Sequence, residues 1–444
     1  MAMSLALLFI LYAFFATLWI LKGKSFKAWG LSPKFILLLF FLRLGLGAIY
    51  GQLHLEYFDA GDTYLYFEES QRIAQTLWPY WDYYWGTWTG QAAIPPPEAD
   101  VYLYPDWTFI RRDFGTYALV HIHAIPQLFS AKSYLLHSFF VAFLGLFASL
   151  NFYWVLRRHF QLPTRLLQVA CFFMPSILFW TAGLHKDVWV YLSISGLLLG
   201  LDAYYRQLWK RALSFLGLGL LGLAIFRTYL LGLVFPALMA AILLPFFFKN
   251  RPARAYLSVY VVLGLGLFAL EMTGYFSPLE VLANRQGAFL AEKGGSVIAN
   301  ASGWEPNFYS FLSYLPDALF NVCFRPLIWN VKDSLQLAAA FEILFFWLLF
   351  FLGLSKDRRA QKRSPIFYFM FFYALTNLLL IGLLVVNLGT IVRYRSIALH
   401  FLVILLLQSA HFLNQYFQSK ESRKKPLGPK TECPAASPTA ELQD

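Results

Sequence analysis

The sequence is poor in charge: only 14% of its 444 residues are Asp, Glu, Lys or Arg. Soluble domains carry about a quarter, so a water-solvated surface is excluded over most of the chain. Cysteine is scarce too. Cys171, Cys323 and Cys433 lie far apart, which excludes a disulfide framework and a cysteine zinc site. No glycine-rich phosphate loop, Rossmann glycine pattern, Gly-x-Ser-x-Gly elbow or zinc-protease helix occurs, and without a phosphate loop ATP-driven transport is disfavoured. No basic residue precedes the first apolar run, whereas Lys22, Lys24 and Lys27 follow it. That is the reverse of a secretory signal peptide, so the run reads as a retained helix.

What fills the sequence instead is apolar. It is 59% hydrophobic, with 46 Phe and 14 Trp, a chain that needs lipid as its solvent and can form interfacial aromatic belts. A hydrocarbon core of about 30 Å takes about 20 residues of helix. Runs of that kind lie near 3–21, 35–52, 133–155, 166–183, 188–205, 212–226, 229–248, 255–274, 335–354, 366–386 and 397–413. The expected fold class is therefore all-α, a polytopic integral membrane bundle of about eleven transmembrane helices. The boundary between 212–226 and 229–248, where Arg227 intervenes, is the least sharply marked.

Loop charge tests this division independently. Lys22, Lys24, Lys27, Lys34, Arg157, Arg158, Arg165, Arg206, Lys210, Arg211, Lys249, Arg251, Arg254 and the Lys356–Arg363 cluster occupy alternate loops. The longest loop on the other side, about 53–115, holds Glu56, Asp59, Asp62, Glu68, Glu69, Asp82, Glu98, Asp100, Asp106 and Asp113 against Arg72, Arg111 and Arg112. By the positive-inside rule the N-terminus is outside and the C-terminal tail is cytoplasmic, in a cell membrane of bacterial inner-membrane type. The formal charge of +12 thus belongs to cytoplasmic loops, and nucleic acid is not an expected partner.

Three regions follow: residues 1–34 as an extra helix with a basic loop, 35–415 as the bundle, and 416–444 as a disordered tail. Two large non-cytoplasmic segments interrupt the bundle, about 53–132 and 275–334. The first is rich in Trp, Tyr and Pro, and its Gly115–Ser130 stretch reads as an interfacial helix.

The chemistry-bearing residues collect on that outer side. Asp59 and Asp62 sit just beyond the second span, three apart and able to share one face of a turn. A partly desolvated Asp there can act as a general base on a hydroxyl; the same residues can also cap the following helix. His185 and Lys186 lie at the outer rim between two spans, an arrangement suited to a phosphate. Alternatively, Lys186 and Asp187 pair to close the hairpin. Arg227, Arg325, Arg393 and Arg395 stand at outer ends of spans. Singly each can snorkel to headgroups; together they form a cationic rim for a lipid-linked phosphate. Arg43, within the second span, must point inward toward Asp59 or another acid, because facing lipid costs a few kcal/mol. His121 and His123 have no Cys or close carboxylate to complete a metal set. No metal ligand set and no cofactor is called for, with a divalent ion left open.

An Asp-bearing outer loop, a membrane bundle and a cationic rim resemble the GT-C superfamily of polytopic glycosyltransferases. The segments FWTAGLHKD, FRPLIWN and NLGTIVRYR are similar to motifs of bacterial polysaccharide-assembly membrane proteins. The resemblance implies transfer of a sugar from a polyprenyl-phosphate donor to a glycan, lipid or protein acceptor. It implies Asp59 or Asp62 as the base, with His185, Lys186, Arg227, Arg393 and Arg395 neutralising the carrier phosphate. One departure is the extra helix at 3–21, since GT-C enzymes usually place the catalytic Asp after their first helix. The alternatives are an arginine-centred oligosaccharide polymerase or ligase and, from another class, a lipid-linked-glycan flippase or transporter.

Overall fold

The computed structural model describes residues 2–57, 61–77, 80–89, 113–248, 251–291, 298, 303–353, 363–410 and 414–417. Asp59, the Pro95–Pro97 run, Lys356–Lys362, Cys433 and the tail beyond 417 lie outside them.

Among the described residues the fold is all-helical. The chain opens with α1 (Ala2–Lys22), a short α2 (Lys24–Lys27) and α3 (Pro33–Glu56). The segment between α3 and the next long apolar helix contributes α4 (Gly61–Leu77), α5 (Trp81–Thr89) and α6 (Phe114–Gln127). The bundle continues with α7 (Tyr134–His159), α8 (Thr164–Phe172), α9 (Pro175–Trp180), α10 (Lys186–Tyr205), α11 (Trp209–Phe226), α12 (Tyr229–Phe247) and α13 (Pro252–Thr273). After α14 (Pro278–Ala291) and α15 (Phe308–Phe324) come α16 (Ser334–Gly353), α17 (Pro365–Leu384), α18 (Leu388–Tyr394) and α19 (Ser396–Ser409).

Nine of these helices, among the described residues, are long and apolar enough to cross a membrane: α1, α3, α7, α10, α11, α12, α13, α16 and α17. The pair α18–α19, bent by 53°, makes up to ten. The expected run at 166–183 is not one helix but two short ones, α8 and α9. Pro175 supplies the physical reason, since a proline ring cannot sit inside a helix without removing a hydrogen bond and clashing with the preceding turn. Here it occupies the first turn of α9, a position it tolerates. The stretch read as an interfacial helix is helical as α6, but most of it is buried, including Leu119, Val120, His121 and His123. It packs between α4 and α11, because its apolar residues occur on more than one face.

Caps mark where the chain turns. Ser32 Oγ accepts from the Phe35 amide before Pro33 opens α3, and Ser133 caps α7 in the same way. Asp113 caps α6, accepting from the Gly115 amide at 3.0 Å. Asn387 caps α18 through the Thr390 amide. Each satisfies a donor that a helix start otherwise leaves open.

Helix α10 carries a carboxylate bound by basic side chains near each of its two ends. Near its C-terminal end Asp202 accepts from Arg158 at 2.6 Å and His159 at 3.0 Å, tying α10 to the last turn of α7. Asp187 lies in the first turn, fifteen residues earlier, about 22 Å away at 1.5 Å per residue.

Candidate functional site

The segment between α9 and α10 is held by side chains from four helices. The Ser176 amide donates to Glu342 of α16 at 3.0 Å, which caps the open start of α9. Thr181 Oγ1 accepts from Arg43 of α3 at 3.0 Å. The Leu184 carbonyl accepts from Thr63 of α4 at 3.3 Å, and the Leu184 amide donates to the Tyr134 hydroxyl of α7 at 3.4 Å. The expected acid partner for Arg43 is thereby corrected. Its other contact is Ser149 Oγ at 2.6 Å, so the buried guanidinium is met by hydroxyls. It reaches them because Gly145 has no Cβ; an added methyl there would overlap the guanidinium.

That segment delivers Asp187 to the meeting point of Arg227 and Arg393. Arg227, in the break between α11 and α12, donates to Asp187 Oδ1 at 2.6 Å. Arg393 of α18 donates to Oδ2 at 2.5 Å. Side-chain exposure is 10% for Asp187, 9% for Arg227 and 19% for Arg393, so all three charges are largely removed from water. Burial works against the Arg227 charge, and the Asp187 carboxylate beside it more than restores it, raising its pKa above the ordinary value. Arg227 also donates to the Tyr229 hydroxyl at 3.0 Å and lies 4.2 Å over the Tyr394 ring. Arg393 donates to His185 Nδ1 at 3.0 Å and lies 5.9 Å from the Trp180 ring. An acid in the first turn of α10 also suits the positive end of that helix. One carboxylate shared by two guanidinium groups leaves a net charge of +1.

Each guanidinium carries five N–H donors, and each commits only some of them to these partners. Beside them is a recess lined by Asp187, Arg227, Tyr229, Tyr373, Asn377 and Arg393, with about 20 Å³ of open space, room for a water-sized group. Asn377 Oδ1 is buried there without a partner among the described residues.

Lys186 does not pair with its neighbour Asp187. Its ammonium is bound by Asp113, the cap of α6. Burial alone raises the Asp113 carboxyl, but the Lys186, Thr116 and Gly115 contacts outweigh it and hold the pKa below the usual 3.8. Asp62 opens α4 on an exposed position. It is close enough, together with Arg393, to act on Tyr66, whose phenol is pushed up by burial first and by Asp62 second. Asp59 lies outside the described residues.

The two remaining arginines stand apart from Asp187. Arg395 is fully buried and donates to the carbonyls of Val322 at 2.9 Å and Arg325 at 2.5 Å. Arg325 ends α15 and lies 5.8 Å from the Phe320 ring. His121 donates to the Tyr117 carbonyl, while His123 meets His137 at 2.8 Å and accepts from Trp189 at 2.9 Å. Among the described residues no three His, Cys, Asp or Glu side chains group as a metal site would require.

The sequence pattern picked out His185, Lys186, Arg227 and Arg393, and these do converge. It missed the hub. Asp187 carried a readable signal nonetheless: an acid opening an apolar helix needs a counter-charge, and lone arginines at other helix ends supply one. Asp113, Tyr66 and Asn377 carried no such signal. Comparisons with protein-family models, curated proteins and solved structures return no match to this chain.

Proposed function

We propose that this chain is a membrane enzyme that transfers a glycan from a polyprenyl-phosphate or polyprenyl-diphosphate carrier on the non-cytoplasmic face. In this reading it crosses the membrane eleven times, α8 and α9 forming one broken crossing and α18–α19 another. The odd number leaves the N-terminus outside and the tail in the cytoplasm, as the loop charges require. The observation that carries the proposal is the convergence of Arg227 and Arg393 on Asp187 at the end of α10 remote from the basic Arg158–Asp202 cluster. Asp187 sets the two guanidinium groups in register, and their remaining N–H donors face the carrier phosphate. As the sugar–phosphate bond breaks, charge grows on the leaving phosphate, and donors already fixed in place stabilise it without reorganising. The transferase of GT-C kind adds Asp62 or Asp59 as the base that takes the acceptor's proton.

One observation favours the arginine-centred form, a repeat-unit polymerase or ligase. Asp62 is exposed, in contrast to the largely buried Asp187, Arg227 and Arg393 side chains. Purified protein in lipid nanodiscs, given a synthetic polyprenyl-diphosphate oligosaccharide, tests both readings. Arg393→Ala and Arg227→Ala are each expected to lower glycan transfer on the order of a hundredfold. Full transfer by either variant overturns the proposal. The double substitution Asp59→Asn and Asp62→Asn then separates the two forms: undiminished transfer removes the base and leaves the arginine-centred enzyme.

A further inference from the structure

Two buried donors near Arg393 have no partner among the described residues. The Tyr50 hydroxyl, in the last two turns of α3, is fully buried and without a partner among the described residues. His185 Nε2 is in the same state, in a side chain 1% exposed. The protonation of His185 follows from its neighbour. A guanidinium only donates, so His185 Nδ1, 3.0 Å from Arg393 Nη2, must be the acceptor. The ring is then neutral with its proton on Nε2, and that N–H is the one left open. Buried polar groups are nearly always satisfied, and an unsatisfied one in a native fold calls for a reason.

The two groups share a neighbourhood. The Tyr50 and His185 rings meet edge to face with centroids 5.6 Å apart. The Tyr50 hydroxyl also feels the charges of Arg393, Asp187 and Asp62. Its position depends on Gly183, where any Cβ would overlap the Tyr50 ring. The broken α9–α10 connection is thus shaped to admit this one side chain next to Arg393.

We propose that Tyr50 Oη and His185 Nε2 are ligand-binding donors that hold oxygens of the phosphate carried by the substrate, extending the arginine pair into a four-donor cradle. This rests on the phosphate reading of Arg227 and Arg393. Neutral donors suit the task because the site already carries a net +1, and further cations would repel one another in a buried setting. A phosphate offers several acceptor lone pairs, enough to satisfy both open donors while bonding the guanidinium groups.

The test is Tyr50→Phe, which deletes only the hydroxyl. Because that oxygen has no partner among the described residues, thermal stability in detergent is expected to stay at the wild-type value. The Kd for farnesyl diphosphate, read by calorimetry, is expected to rise roughly tenfold. Tyr134→Phe is the opposite control. Its hydroxyl is engaged by Thr63 and Leu184, so it should lower stability and leave Kd unchanged. Inorganic pyrophosphate is measured in parallel. A Tyr50→Phe loss with both probes supports a phosphate cradle indifferent to the chain, and a loss with farnesyl diphosphate alone supports one specific to lipid-linked phosphate. Equal Kd for wild type and Tyr50→Phe, with wild type binding, overturns the cradle, the result a bridging water would give. If wild type binds neither probe, the phosphate reading of the arginine pair falls, and the cradle with it.

Discussion

Replacing Asp187 by Asn removes the one negative charge between Arg227 and Arg393 while keeping the shape of the side chain. The two contacts are 2.6 and 2.5 Å between heavy atoms. With charge centres about 4 Å apart and an effective dielectric of about 20, each contact is worth about 4 kcal/mol before desolvation. Desolvation of three largely buried ions offsets most of that sum. Deleting one partner is a different matter, because it leaves two guanidinium groups facing each other with no counter-ion. Such deletions cost about 3–5 kcal/mol, and the Asn oxygen, still able to accept one hydrogen bond, places this variant toward the lower end. Thermal unfolding in detergent can be followed with a thiol-reactive fluorophore, since Cys171 is buried in the native bundle. The expected result is a fall in Tm of several degrees. Adding Arg393→Gln removes one of the two repelling charges, so the double variant should lose less than the sum of the single losses. An Asp187→Asn protein that melts with the wild type would refute the account of Asp187 as the hub.

Two further outcomes follow from buried groups near the site. Gly145→Ala drives a methyl into Arg43 and is expected to cost about 1–3 kcal/mol. In an Arg43→Met background the penalty should shrink, because a flexible apolar chain replaces an ion satisfied only by hydroxyls; strictly additive losses would count against that contact. Burial, with Arg393 next in strength, pushes the His185 pKa well below the ordinary 6.5. Below that pH the unfolded chain takes up a proton that the native ring refuses, so the stability His185 contributes is present above 6.5 and is lost as pH falls. The wild type should therefore lose about 1.4 kcal/mol per pH unit more than His185→Gln between pH 6.5 and the native pKa. Parallel pH profiles for the two proteins would contradict the buried, neutral ring.

The sequence alone determined where most of the long apolar helices of this protein lie. Runs such as Ala2–Lys22 and Pro365–Leu384 are legible because every backbone group in lipid must bond within its own helix, which makes a long apolar stretch nearly unambiguous. The failure at 166–183 has an equally local cause: hydropathy sums over a window and is blind to one proline at 175 that divides it. The site was legible only in part. Isolated cations at the ends of apolar runs, Lys186, Arg227 and Arg393, stand out because charge is rare in such a chain. Which of them meet depends on how α10, α11 and α18 pack, and that information is spread over contacts between residues about 40 and 206 positions apart. Only the tertiary structure could therefore turn a row of arginines into a pair clamped on Asp187 and direct Arg395 to backbone carbonyls instead. The same packing paired Lys186 with Asp113 and left Tyr50 and His185 holding donors with no partner among the described residues.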